Sequence, residues 1–79
     1  MNTLELYNKA FCDTLEIEED RLAGLKYQDT ALWDSVGHMS LIAALEDAFD
    51  IMLETDDIID MSSYEKGKEI LTKSYDLQF

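Results

Sequence analysis

Leu32-Trp33-Asp34-Ser35-Val36-Gly37-His38-Met39, continued without a break by Ser40-Leu41-Ile42-Ala43-Ala44-Leu45-Glu46-Asp47-Ala48-Phe49, is the stretch on which the fold turns. Its first half is loop-like and ends in a polar cap. Its second half is a long amphipathic helix. Asp34 and Ser35 fall at the junction, where a helix presents unpaired N–H groups and the positive end of its dipole. A hydroxyl placed there is well sited to carry a phosphate ester. An Asp-Ser pair is most often only a helix cap, so the rest of the chain has to be weighed with it.

The 79 residues make one domain, 1–79, with room for a single core. Hydrophobic residues make up 47% of the chain, too many for a disordered acidic tail. With no proline and three glycines, hairpin turn signals are scarce and helices are favoured. Eighteen acidic residues face six basic ones, a net charge of −12. That balance disfavours nucleic acid and anionic membranes by repulsion and points to basic protein patches as partners. Cys12 is the one cysteine, so no internal disulfide can form. No signal-peptide or membrane-spanning pattern is legible, and a cytoplasmic protein without membrane insertion is expected.

Working outward from the central stretch, the 100° period puts His38, Leu41, Ile42, Leu45, Ala48, Phe49 and Met52 on one inward face. Val36, Met39, Ala43, Glu46, Asp47 and Asp50 lie opposite, apolar near Ser35 and acidic further down. Upstream, Asn2 or Thr3 caps a first helix whose stripe is Leu4, Tyr7, Phe11 and Leu15, with Cys12 off its centre. Residues 16–34 form a long connection with scattered apolar side chains, a loop pinned across the helix ends, with a short turn near Asp20 to Ala23. Downstream, Thr55 to Asp60 has room for a turn or two of helix, and Met61 packs inward. Ser62 stands three residues before Glu65, a capping-box spacing that opens a last helix to Tyr75. Tyr64, Gly67, Ile70, Leu71 and Ser74 form its inward stripe, Gly67 marking a close approach to a neighbouring helix.

Ser35 and His38 have the spacing of a Ser-His pair, but no third residue is placed to orient the imidazole. The acidic run Glu54 to Asp60 lacks the alternating ligands, central glycine and terminal glutamate of a calcium loop, and no Cys/His cluster offers a zinc site. No catalytic residue and no metal site is therefore expected. Two readings remain. An unmodified acidic helical adaptor that binds basic protein surfaces accounts for the helices and the charge. It does not account for Asp-Ser at the head of the dominant helix, beside an apolar-acidic strip. Covalent carriage of a prosthetic group on Ser35 accounts for both.

On these residues the chain resembles the acyl carrier proteins. Asp34-Ser35-Val36 is similar to the family's Asp-Ser-Leu attachment motif, and Leu41 to Ile51 follows its Leu-x-x-x-Leu-Glu-x-x-Phe-x-Ile helix. The likeness covers nearly the whole chain. It implies an all-α, acyl-carrier-like four-helix bundle with a long first loop and a short third helix. It implies that Ser35, within a motif that includes Asp34, is esterified by 4′-phosphopantetheine, which a phosphopantetheinyl transferase delivers from coenzyme A. The arm's thiol would then hold an acyl or aminoacyl group as a thioester for loading and consuming enzymes of a biosynthetic pathway. Val36, Met39, Ala43, Glu46 and Asp47 match partner-docking positions, and the expected state is a monomer.

The chain departs from the family at several places. Val36 replaces the usual leucine, and Gly37 and Ser40 stand where carriers of fatty acid synthesis commonly have acidic residues. Glu54 replaces a proline. Trp33 and Gly37-His38 resemble specialised carriers, and Trp33 and His38 are read as specificity residues of a dedicated pathway.

Overall fold

The computed structural model describes residues 2–79. Among them are four α-helices and no strand: α1 (Thr3–Leu15), α2 (Ser35–Phe49), α3 (Thr55–Asp60) and α4 (Tyr64–Tyr75).

Asn2 is the cap of α1. Its side chain accepts the Glu5 N–H at 2.8 Å, and Glu5 accepts the Asn2 N–H at 3.4 Å, a reciprocal capping box. Tyr7, Ala10, Phe11 and Leu15 then bury one face, and α1 packs along α2. Leu4, in the first turn, stays exposed. Both helices end on a left-handed residue, Glu16 (φ 56°) and Asp50 (φ 55°). The following Ile17 and Ile51 N–H groups reach back to the Cys12 and Glu46 carbonyls at 3.3 and 3.1 Å, which closes each end in a Schellman motif.

The turn at Asp50 corrects one placement. Met52 lies beyond the end of α2 and is 87% exposed, so the helical period does not carry it inward. Likewise Ser74 is exposed in the last turn of α4, while Tyr75 is half-buried.

Residues 16–34 are pinned as expected. Leu22, Leu25 and Trp33 are buried, and a 3-10 turn occupies Glu19–Arg21. The connection also pairs with the head of α4, which the sequence pattern does not foretell. Tyr27 N–H donates to the Ser62 carbonyl and Tyr64 N–H to the Leu25 carbonyl, both at 2.9 Å, making an isolated antiparallel bridge between Lys26 and Ser63. This pairing takes the Tyr64 N–H outside the helix and sets its start one residue later than the capping-box spacing suggests. Ser63, not Ser62, is the cap, and its hydroxyl accepts the Lys66 N–H at 3.0 Å.

Phe11 is the aromatic centre, with ring centroids 4.8 Å from Tyr7, 5.3 Å from Tyr64 and 5.5 Å from Trp33. Trp33, read from the sequence as a specificity residue, is completely buried and packs in the core. Gly67 does mark a close approach. The Tyr7 hydroxyl, donating to the Tyr64 carbonyl at 2.6 Å, occupies the space a Cβ on Gly67 would need.

The short helix α3 buries no residue of its own. Its first turn is held from α4 instead. The Tyr75 hydroxyl accepts the Glu54 N–H at 2.7 Å and donates to Asp57 at 2.8 Å. The tail after α4 folds back, with Leu77 against the core and the Phe79 ring edge-on to Tyr7 at 5.1 Å.

Candidate functional site: Ser35 and the groove beside it

Asp34 is extended (φ −107°, ψ −168°), and its Oδ1 accepts the Gly37 N–H at 2.8 Å. Its carbonyl accepts the His38 N–H at 2.7 Å. Asp34 is thus the cap and Ser35 the first residue of α2. The Ser35 side chain is exposed. The N–H groups at the very start of such a helix have no intrahelical acceptor, so the hydroxyl stands at an electropositive end.

Gly37 has a physical cause of its own. The Leu32 carbonyl of the connection lies against α2 where a Cβ on residue 37 would sit, and Asp34 Oδ1 would be 3.3 Å from that carbon. The loop can therefore lie on the first turn of α2 only because residue 37 has no side chain.

His38 is held from two sides. Trp33 Nε1–H donates to its Nδ1 at 3.0 Å, and its Nε2 lies 2.8 Å from the Ile58 carbonyl. An indole is a donor only, so Nδ1 must be bare and the proton sits on Nε2, where it donates to Ile58. The imidazole lies edge to edge with the Trp33 indole, the two planes only 19° apart, and Tyr27 meets it edge-on at a centroid distance of 5.7 Å. With both nitrogens committed, His38 is not paired with the Ser35 hydroxyl.

A hollow of about 360 Å³ opens beside Ser35, between the start of α2 and α3. Tyr27, His38, Met39, Ile58, Ile59 and Met61 line it, with Ser35 and Ser62, and no acidic residue, lysine or arginine does. Sequence reasoning missed this groove. Ile58-Ile59 in a short acidic helix was the available signal, but nothing local says which helix those side chains would face.

Of the residues assigned to docking, Val36 and Met39 are 75% and 56% exposed, and Ala43 and Asp47 are exposed as well. Glu46 differs. It is half-buried, and its Oε2 accepts the Leu53 N–H at 2.9 Å, which ties the chain after α2 back onto the helix.

Cys12 lies away from this site, beside Glu5, Lys9, Asp13 and Glu19. Burial, and then the Glu19, Asp13 and Glu18 carboxylates, push its thiol above the ordinary value. That surrounding is the opposite of one that activates a cysteine. Among the described residues no group of three or more His, Cys, Asp or Glu side chains is placed to hold a metal, and no helix is long and apolar enough to cross a membrane.

Compared with known proteins, the chain matches no family model, no curated protein and no solved structure.

Proposed function

We propose that this chain is a carrier of the acyl-carrier type, an acyl-carrier-like bundle bearing 4′-phosphopantetheine as an ester on Ser35. The observation that supports it most is the conjunction at the head of α2. An exposed hydroxyl stands at an electropositive helix start and borders an uncharged, largely apolar groove. A phosphodiester needs the first and an acyl-bearing arm is served by the second, so the residues present fit the group. The arm, when attached, supplies a thiol that holds an acyl group as a thioester.

The chain's own residues present that arm. Ser35 bears it, Asp34 and Gly37 hold the helix start in place, and exposed Val36 and Met39 with Asp47 offer an apolar-acidic face to enzymes with basic patches. An ammonium group would gain no charged partner from the groove lining, which favours a neutral acyl cargo over an aminoacyl one.

The test is to recover the chain from its own cells and measure its intact mass before and after mild hydroxylamine. A mass excess at Ser35, reduced to the bare arm by cleavage of the thioester, is the expected result. A chain that stays unmodified at Ser35 under all growth conditions contradicts the proposal.

A further inference from the structure

We infer that His38 is a positioning residue, a latch that holds α3 against the start of α2 and so sets the width of the groove beside Ser35, with Trp33 holding the latch in its working tautomer. A six-residue helix has no stability of its own, and α3 has no fully buried residue, Ile58 alone packing partly against the core between the buried Leu53 and Met61 that flank the helix. Side-chain grips from neighbouring elements therefore help to set its position. Tyr75 grips the first turn through Glu54 and Asp57. Of these two grips, His38 holds the groove-lining half, through the Ile58 carbonyl.

That carbonyl belongs to the last turn of α3, where a helix leaves its C=O groups without intrahelical donors. The Nε2–H of His38 satisfies it, and a donor suits the negative end of the helix. In the other tautomer, Nδ1–H would face the Trp33 N–H while a bare Nε2 faced a carbonyl oxygen, so both bonds would be lost. The indole and the Ile58 carbonyl thus select the same tautomer, and one ring ties the connection, α2 and α3 together. Tyr27, the other ring against His38, meets it edge-on and is a groove wall in its own right.

Ser35 and Met39 line the groove from α2, and Ile58 and Ile59 line it from α3, so a shift of α3 changes the space between them. That this space holds cargo rests on the carrier proposal. The latch itself does not.

The experiment uses the full chain, unmodified, in solution. Nitrogen chemical shifts of the uncharged His38 imidazole should show the Nε2–H tautomer. Trp33→Phe, which keeps an aromatic ring in the core but removes the donor, should admit the Nδ1–H tautomer as a minor form, because the Ile58 carbonyl still favours Nε2–H. His38→Leu should speed amide exchange at Ile58 and Met61 by roughly tenfold, the factor commanded by one net hydrogen bond of ordinary strength. Core amides of α1 and α4 should exchange as before. His38→Gln, which offers one donor and one acceptor in place of the imidazole, should restore most of the protection.

A dominant Nδ1–H tautomer overturns the latch. So do unchanged α3 amides in His38→Leu, and so does uniform acceleration without rescue by glutamine, which would make His38 a packing residue only. If His38→Leu does not fold, the Trp33→Phe tautomer and the His38→Gln exchange pattern still decide. Neither readout involves the prosthetic group, so failure here and failure of modification at Ser35 are separate results.

Discussion

The Leu32 carbonyl lies over Gly37, in the space a side chain there would fill. The loop and the first turn of α2 are fitted together at this contact, two residues after Ser35. Glycine inside a helix ordinarily costs about 1 kcal/mol relative to alanine. Here the sign should reverse. Gly37→Ala is expected to destabilise the fold by about 1–3 kcal/mol through overpacking against backbone, measured by urea unfolding. A stabilised Gly37→Ala would show that the loop does not sit where this contact puts it.

Tyr7 and Gly67 should be energetically coupled. Gly67→Ala alone forces the added methyl against the Tyr7 hydroxyl and should cost about 1–3 kcal/mol. In a Tyr7→Phe background the clashing oxygen is gone while the ring carbon stays 3.2 Å from that Cβ, so the same change should destabilise less. A double-mutant cycle should return a coupling of about 1 kcal/mol or more. Additive effects would mean the hydroxyl points elsewhere.

Alkaline pH should unfold the domain through its tyrosines. Burial, the largest cause at each, pushes the hydroxyls of Tyr7, Tyr64 and Tyr75 above the ordinary value. Above about pH 10 the unfolded chain releases those protons while the folded chain keeps them, so the folded state binds more protons and its stability falls with rising pH. Their contribution is intact below pH 10. Denaturant midpoints measured upward from that pH should fall, and less steeply in Tyr7→Phe, which removes the most strongly shifted group.

The parts of the fold that sequence made legible are the parts set by local periodicity. Tyr7, Phe11 and Leu15 repeat along one face of α1, Leu41 and Leu45 along one face of α2, and Asp34 has the chemistry of a cap. What was hidden is set by contacts between distant segments. The Tyr64 N–H goes to Leu25, which shifts the start of α4 from Ser62 to Ser63 as cap. Trp33, in a segment with no period to read, is drawn into the core by Phe11 and gives its N–H to His38. Glu46 carries the charge expected of a docking residue but spends a carboxylate oxygen on the Leu53 backbone. Asp34 as the cap and Ser35 at the start of α2 were legible, and the groove beside them was not.

Glu46 and Asp47 should now separate. Glu46→Lys removes the acceptor for Leu53 N–H and should cost about 1–3 kcal/mol of stability, whereas Glu46→Gln keeps an acceptor oxygen and should cost less. Asp47→Lys should leave stability nearly unchanged. Under the carrier proposal it should slow association with a basic phosphopantetheinyl transferase, most at low salt. Glu18→Lys, away from α2, is the control. Equal slowing by Asp47→Lys and Glu18→Lys would remove Asp47 from the docking face.

The most direct test of the carrier proposal is intact mass after incubating the purified chain with coenzyme A, magnesium and a promiscuous phosphopantetheinyl transferase. The predicted result is a gain of one phosphopantetheine, absent in a folded Ser35→Ala variant and mapped to Ser35 by fragmentation. No gain with several such transferases, or a gain that persists in Ser35→Ala, would contradict it.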